Sequence, residues 1–171
     1  RFKVNKAGNY FGNNAEFDCD SMELGDVGSY ALNGRKHKIK QLKVNKAGNW
    51  FGFDAEFDCD SMELGDVGNH ALRGYDRKVK HKIKQLKLNK AGDYFGRDAE
   101  FESESMELGD VGSDALRGYD RKVKHKIKQL KVNKAGDYFG YNSVLYNDEM
   151  KIINGVFIGE VKRWEERKEE V

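Results

Sequence analysis

Two segments of the sequence carry carboxylates at every second position, a spacing that places them on one side of an extended strand. Carboxylate oxygens suit Ca²⁺, which takes about six to eight oxygen ligands. A calcium site here would use Asp18, Asp20, Asp58 and Asp60. The corresponding residues of a third segment are Glu102 and Glu104, and a tight cage seldom tolerates two longer side chains at once. The pattern therefore predicts a solvated or ion-paired face, with Ca²⁺ binding as the alternative.

Lysines alternate in the same way in neighbouring segments. The longest runs are Lys78, Lys80, Lys82 and Lys84, and then Lys122, Lys124, Lys126 and Lys128. Such ladders could hold phosphates or sulfated glycans. However, the formal net charge is only +2, and an acidic segment accompanies each basic one. The economical interpretation is pairing of opposite charges between strands, which argues against nucleic acid as a partner.

One large aromatic residue recurs before a Phe-Gly pair in each part of the sequence. The four residues are Tyr10, Trp50, Tyr94 and Tyr138. Exchange of Tyr for Trp is what a flat stacking surface permits, so these residues are candidates for binding sugar rings. The favoured interpretation is packing of aromatic rings across strands or between sheets.

Histidines and cysteines give little support for catalysis. His37, His81 and His125 are equivalent, and each is flanked by lysines. Cys19 and Cys59 are also equivalent to each other, but Ser103 takes their place in the third segment. Since no nucleophile–base arrangement is apparent, the sequence predicts neither an enzyme nor a cofactor.

These residues belong to a block of about 44 residues that occurs four times. Lys-Val-Asn-Lys-Ala-Gly begins at Lys3, Lys43 and Lys131, with a Leu variant at Lys87. A fixed period of this size indicates an array of one repeated unit. We expect a single repeat domain over residues 1–171, with repeats at 3–42, 43–86, 87–130 and 131–171.

Alternation of side chains predicts strands within each block. In the second block, the Lys-rich strand leads into Asn45–Gly48, which resembles a hairpin loop. A second strand is expected over residues 49–57 and a third over residues 62–67. In the last block, turns at Asn147-Asp148 and Asn154-Gly155 are expected to join three strands.

The order of these strands predicts an all-β fold. We expect four antiparallel β-meander repeats, arranged as a continuous array, a closed ring or a sandwich. A helix is the alternative for the Lys-rich segment, and a short helix is expected from Trp164 onward.

The terminal segments depart most from the repeat. Exposed strands at the ends of an array can pair with other molecules. The candidate assembly residues are Phe2, Val4, Val161 and Trp164. The sequence thus favours a non-enzymatic structural or interaction protein that associates with itself or with another protein, with carbohydrate binding and Ca²⁺ binding as alternatives.

Bulk composition narrows the class of protein further. Charged residues make up 35% of the 171 residues, and no apolar run approaches the roughly 18 residues that a membrane helix needs. Aromatic residues at fixed repeat positions, 12% in all, indicate an ordered chain. We expect a soluble protein without a membrane span, and the sequence leaves its compartment open, including secretion or the cell surface.

Overall fold

The computed structural model describes residues 1–75 and 78–169, and these residues form ten strands and one short helix. The strands are β1 (Phe2–Ala7), β2 (Asp18–Val27), β3 (Lys36–Ala47), β4 (Glu56–Val67), β5 (Val79–Ala91), β6 (Ala99–Val111), β7 (Val123–Ala135), β8 (Ser143–Asn147), β9 (Glu149–Asn154) and β10 (Glu160–Arg163). A 3-10 helix, Trp164–Glu169, follows β10. None of the described helical segments is long and apolar enough to cross a membrane.

Successive strands lie side by side and run in the same direction. The order is β1 to β8 and then β10, while β9 pairs with β7 beside β8. Every strand pair among the described residues is parallel. The chain is therefore a β-solenoid of stacked coils, and the prediction of antiparallel meanders was wrong. Alternation has the same period in both kinds of sheet, so it does not reveal strand direction.

The segment predicted as the second strand of each block is the turn that closes a coil. After β3 the backbone is left-handed at Trp50 (φ 65°), Gly52 (φ 65°) and Asp54 (φ 55°). These angles are incompatible with a strand. Neighbouring coils hold the turn, because Trp50 N–H donates to the Asn69 carbonyl and Leu72 N–H donates to the Phe51 carbonyl. The Asn45–Gly48 segment is consequently not a hairpin loop.

Two coils make one sequence block, and in the second and third blocks they differ in length. Leu42 pairs with Met62 on the next coil, and Met62 pairs with Leu86 on the coil after that. The step from Leu42 to Leu86 is therefore one full block, made of a shorter and a longer coil. The longer coils carry four extra residues after Gly74 and after Gly118.

Alternate coils differ because large and small side chains exchange places in the core. Cys59 lies beside Ile83, and Val67 lies beside Ala91. Charge also inverts from one coil to the next, as Asp58 beside Lys82 illustrates. Complementary neighbours allow close packing of the interior, so the pair of coils, rather than the single coil, repeats in sequence.

A glycine permits the closest approach of two coils. A Cβ on Gly65 would collide with the backbone carbonyl of Asn45 in the coil before it. Asn and Gly alternate along this column, as in Asn89 and Gly109. The absence of a side chain at this position thus allows consecutive coils to stack closely.

The last coils differ from the others. The prediction of a hairpin around Asn147-Asp148 was wrong, because β8 and β9 follow one another along the same neighbour, β7. Residues 156–158, predicted as a strand, have no regular secondary structure.

The 3-10 helix packs against β7, β8 and β10. It covers β8, whose residues Val144 and Tyr146 are buried where other coils carry charges. The expected C-terminal helix is therefore present, and residues 170 and 171 lie outside the described part.

Candidate functional site

The four predicted aromatic residues lie in one column of turns on the solenoid. The structure adds residues from the intervening coils that the 44-residue period concealed. The complete column is Tyr10, Tyr30, Trp50, His70, Tyr94, Asp114 and Tyr138, each with φ between 60° and 65°. The signal in the sequence was a Gly two positions before each member, which recurs once in every coil.

The rings from Tyr10 to Tyr94 form a continuous stack, which we call the aromatic ridge (Tyr10, Tyr30, Trp50, His70 and Tyr94). The distances between successive ring centroids are 5.2, 5.8, 3.8 and 4.8 Å, with planes within 13° of parallel. Because the rings stack on one another, the faces of the inner members are occupied. The interpretation as aromatic packing therefore gains support over the interpretation as a sugar-binding surface.

A column of arginines, which the sequence reasoning missed, lies beside the ridge. The Arg97 guanidinium is 3.8 Å from the centroid of the Tyr119 ring and 5.4 Å from that of Tyr94. Arg117 lies 4.6 Å from the Tyr119 ring, and Arg73 lies 5.3 Å from the Trp50 ring. Cation–π contacts thus connect the ridge with the exposed tyrosines of the four-residue insertions.

Two carboxylates offset the arginine charges. Asp98 is buried, accepts hydrogen bonds from the N–H groups of Tyr119 and Asp120, and lies 3.5 Å from Arg97 Nε. Asp114, which interrupts the ring column, forms an ion pair with Arg117. This local neutralisation is typical of a structural arrangement rather than an open anion site.

His70 in the ridge is neutral at pH 7. Burial lowers its pKa to about 4, and the charges of Arg73 and Arg97 act in the same direction. Its Nδ1 accepts a hydrogen bond of 2.8 Å from Arg73 Nη1. His70 therefore anchors an arginine, and burial together with the arginine charges outweighs the opposing charge of Asp93.

Lysines and carboxylates form a second surface on the first half of strands β2 to β7. We call this surface the charged face. Its rows are Asp18 and Asp20; Lys36, Lys38 and Lys40; Glu56, Asp58 and Asp60; Lys80, Lys82 and Lys84; Glu100, Glu102 and Glu104; and Lys124, Lys126 and Lys128. All residues of one row have the same sign, and adjacent rows have opposite signs.

Ion pairs connect neighbouring rows of the charged face. Nζ to carboxylate distances are 3.3 Å for Lys40–Asp20 and 3.5 Å for Lys84–Asp60. The remaining candidate calcium ligands, Asp18 and Asp58, are separated from each other by a basic row. Among the described residues, no three His, Cys, Asp or Glu side chains are grouped closely enough to hold a metal ion. The geometry gives the calcium interpretation no support.

The other histidines are structural members of the core. In His81, Nδ1 accepts a hydrogen bond from the Phe57 N–H (3.3 Å) and Nε2 lies 3.0 Å from the Leu72 carbonyl. His37 and His125 repeat this geometry. An Nε2–H tautomer satisfies both ring nitrogens. Burial lowers the pKa of His81 and of His125 to about 4, so both are neutral at pH 7.

The two cysteines face the interior and lie two coils apart. Ile39 pairs with Cys19 in the coil between them. Cys59 is buried, and burial raises the pKa of its thiol to about 12. A thiol with so high a pKa is a poor nucleophile.

The candidate assembly residues are not brought together. Phe2 and Val4 lie on β1 at one end of the solenoid, whereas Val161 lies on β10 at the other. Trp164 begins the 3-10 helix on the side of β8, with Arg167 3.9 Å from its ring centroid. Sequence reasoning missed two strongly exposed apolar residues near β9, Ile153 (63%) and Val156 (68%).

No protein-family model matches this sequence, and no curated protein or solved structure matches it significantly. The geometry is therefore the basis for the function proposed below.

Proposed function

We propose that this protein is a non-enzymatic structural element, a rigid β-solenoid that associates with further copies of itself through the charged face. The observation that carries the proposal is the strict alternation of acidic and basic rows over six consecutive strands, β2 to β7. A surface of this kind carries acidic and basic rows on one molecule, so it can pair with the basic and acidic rows of a second copy.

The charges of this face retain the capacity to bind a partner. The side chains of Lys84 and Asp60 are 67% and 60% exposed, and those of Lys40 and Asp20 are 70% and 82% exposed. Exposed ion pairs within one chain contribute only about 0.2–1 kcal/mol each. A second copy that brings opposite charges to the same side chains adds many such contacts at once and fixes their register.

The positions of the reactive side chains also support a structural role. The rings of His37, His81 and His125 are buried and form hydrogen bonds with the backbone, and Cys59 lies in the core. A groove of about 540 Å³ runs across the coils past residues such as Asn45. Its charged lining residues alternate between Lys and Glu from Lys43 to Lys131, and its lining includes no histidine or cysteine, which favours a surface depression over a catalytic cleft.

Carbohydrate binding receives less support from the geometry. A sugar ring stacks on an exposed aromatic face, and the inner rings of the ridge present only their edges. Tyr10 (58% exposed) and Tyr138 (54% exposed) are the members of the column with most accessible surface. They lie at opposite ends of the column, so they do not form one multivalent surface.

Light scattering over a dilution series tests the proposal. We expect a mass above that of the 19.6 kDa monomer at high protein concentration and low salt. Because salt screens exposed charges over a Debye length of about 8 Å at physiological ionic strength, added salt should shift the equilibrium toward monomer. A mass that stays monomeric at every concentration and salt level would exclude self-association.

A further inference from the structure

The order of acidic and basic rows on the charged face depends on the direction in which the solenoid is followed. From β2 to β7 the rows are acidic, basic, acidic, basic, acidic and basic. Reversing the order of six alternating rows inverts the sign at every level. The face is therefore complementary to its own reversed copy. This property concerns the partner in the self-association proposed above and rests on that proposal.

Most protein dimers are related by a twofold axis, and an axis in the plane of a face brings that face against itself. Two directions of such an axis keep the rows of the two copies aligned. An axis along the solenoid places each row opposite the same row in reversed strand direction, so lysines of β5 would meet lysines of β5 and carboxylates of β4 would meet carboxylates of β4. An axis parallel to the strands reverses the order of rows while it keeps the position along each strand. Only the second arrangement opposes unlike charges at every level.

The position of the axis follows from the extent of the face. The 3-10 helix covers β8, where Val144 and Tyr146 replace the charges, so the alternating rows end at β7. Overlap of all six rows requires an axis midway between β4 and β5, with Trp164 and Arg167 of the 3-10 helix at the border of the face beside Lys126. Rows β4, β3 and β2 then lie opposite rows β5, β6 and β7 of the second copy.

We infer that two copies of this chain bind face to face and antiparallel, about a twofold axis that runs parallel to the strands between β4 and β5. Because the axis does not change the position of a residue along its strand, residues of the same column in the two copies lie opposite each other. Lys84 lies opposite Asp60 of the second copy, Lys82 opposite Asp58, and Lys40 opposite Glu104. Each of these pairs occurs twice in the dimer.

Reversing the charges of Lys84 and Asp60, one at a time in the full chain, tests this arrangement. Lys84→Glu places two like-charged Glu–Asp contacts in a dimer of that variant, and Asp60→Lys places two Lys–Lys contacts. We expect each single variant to raise the dimer dissociation constant about tenfold or more in sedimentation equilibrium at low ionic strength. An equimolar mixture should restore the wild-type dissociation constant, because the mixed dimer contains one Glu–Lys and one native pair.

The matched control lies on the same two strands, in the groove that contains Asn45. Glu63 and Lys87 are exposed neighbours on β4 and β5, but they lie outside the charged face. Glu63→Lys and Lys87→Glu should leave the dissociation constant unchanged. Circular dichroism melting of all four variants checks that each is folded.

The outcomes separate this inference from the proposed function. If the wild type associates but the mixture of Lys84→Glu and Asp60→Lys associates no better than either variant alone, the twofold arrangement is wrong and self-association stands. Association through the end strands would give this result, with an open series of oligomers instead of a dimer. A wild type that never associates overturns both proposals.

Discussion

Lys84 Nζ lies 3.5 Å from Asp60 Oδ1, although one complete coil separates the two residues along the chain. The contact exists because β4 and β5 are parallel neighbours in register, with Ser61 beside Gln85. After one turn of the solenoid, the chain reaches the same position along the strand, and the residue there has the opposite charge. Stacking in register, repeated from coil to coil, generates the charged face, the aromatic ridge and the alternating histidine and phenylalanine rings of the core.

The buried histidines predict a loss of stability in mild acid. The pKa values of His81 and His125 are lowered to about 4 by burial, below the value of about 6.5 in the unfolded chain. The unfolded state therefore binds more protons, and the stabilising contribution is complete above about pH 6.5 and decreases as the pH falls toward 4. Urea denaturation at a series of pH values should show a falling free energy of unfolding.

The matched variant for this prediction is His81→Leu. Leu145 lies beside His125 on β8, at the position that Phe57 and Phe101 occupy in earlier coils, so this column already contains a leucine next to a histidine. The variant loses two hydrogen bonds and should be less stable at pH 7.5, but its stability should depend less steeply on pH. Equal pH slopes for the wild type and the variant would show that the buried histidine does not titrate as proposed.

The close approach at Gly65 predicts a strong effect of a single methyl group. In Gly65→Ala the new Cβ meets the Asn45 backbone carbonyl, and the coils must separate to accept it. We expect a loss of about 1–3 kcal/mol in the free energy of unfolding, as for other overpacked sites. Gly8→Ala is the control, since a Cβ there has no atom within 4 Å. Similar denaturation midpoints for both variants would contradict the stacking geometry.

The buried contacts of Asp98 predict that its removal destabilises the fold near the four-residue insertion after Gly118. Asp98→Ala removes the acceptor for two backbone N–H groups and the partner of Arg97. Breaking such a partly buried pair should cost about 2–4 kcal/mol. Asp98→Asn is the comparison, because the amide keeps an acceptor oxygen for the two N–H groups and loses only the charge beside Arg97. Thermal melting should show the larger loss for Asp98→Ala, and the reverse order would refute this role.

The sequence was sufficient to predict an all-β tandem repeat and the alternation along β3 and β5. It was misleading about strand direction, because period-two alternation occurs in parallel and antiparallel sheets alike. It was also misleading about residues 49–57, since a left-handed backbone at Trp50 is unexpected for a bulky side chain and depends on hydrogen bonds to the next coil. The arginine column was missed because Arg73 and Arg97 occupy different halves of the 44-residue block.

Cross-linking between neighbouring coils tests most directly the claim that successive coils stack in parallel register. Gln41 and Ser61 are direct neighbours on β3 and β4. In a background with Cys19→Ser and Cys59→Ser, the pair Gln41→Cys and Ser61→Cys should form an intramolecular disulfide under mild oxidation, since adjacent strands lie about 4.8 Å apart. The control pair, Gln41→Cys and Ser105→Cys, spans three coils and should stay reduced. Mass spectrometry that found the second disulfide but not the first would contradict the parallel solenoid and every surface derived from it.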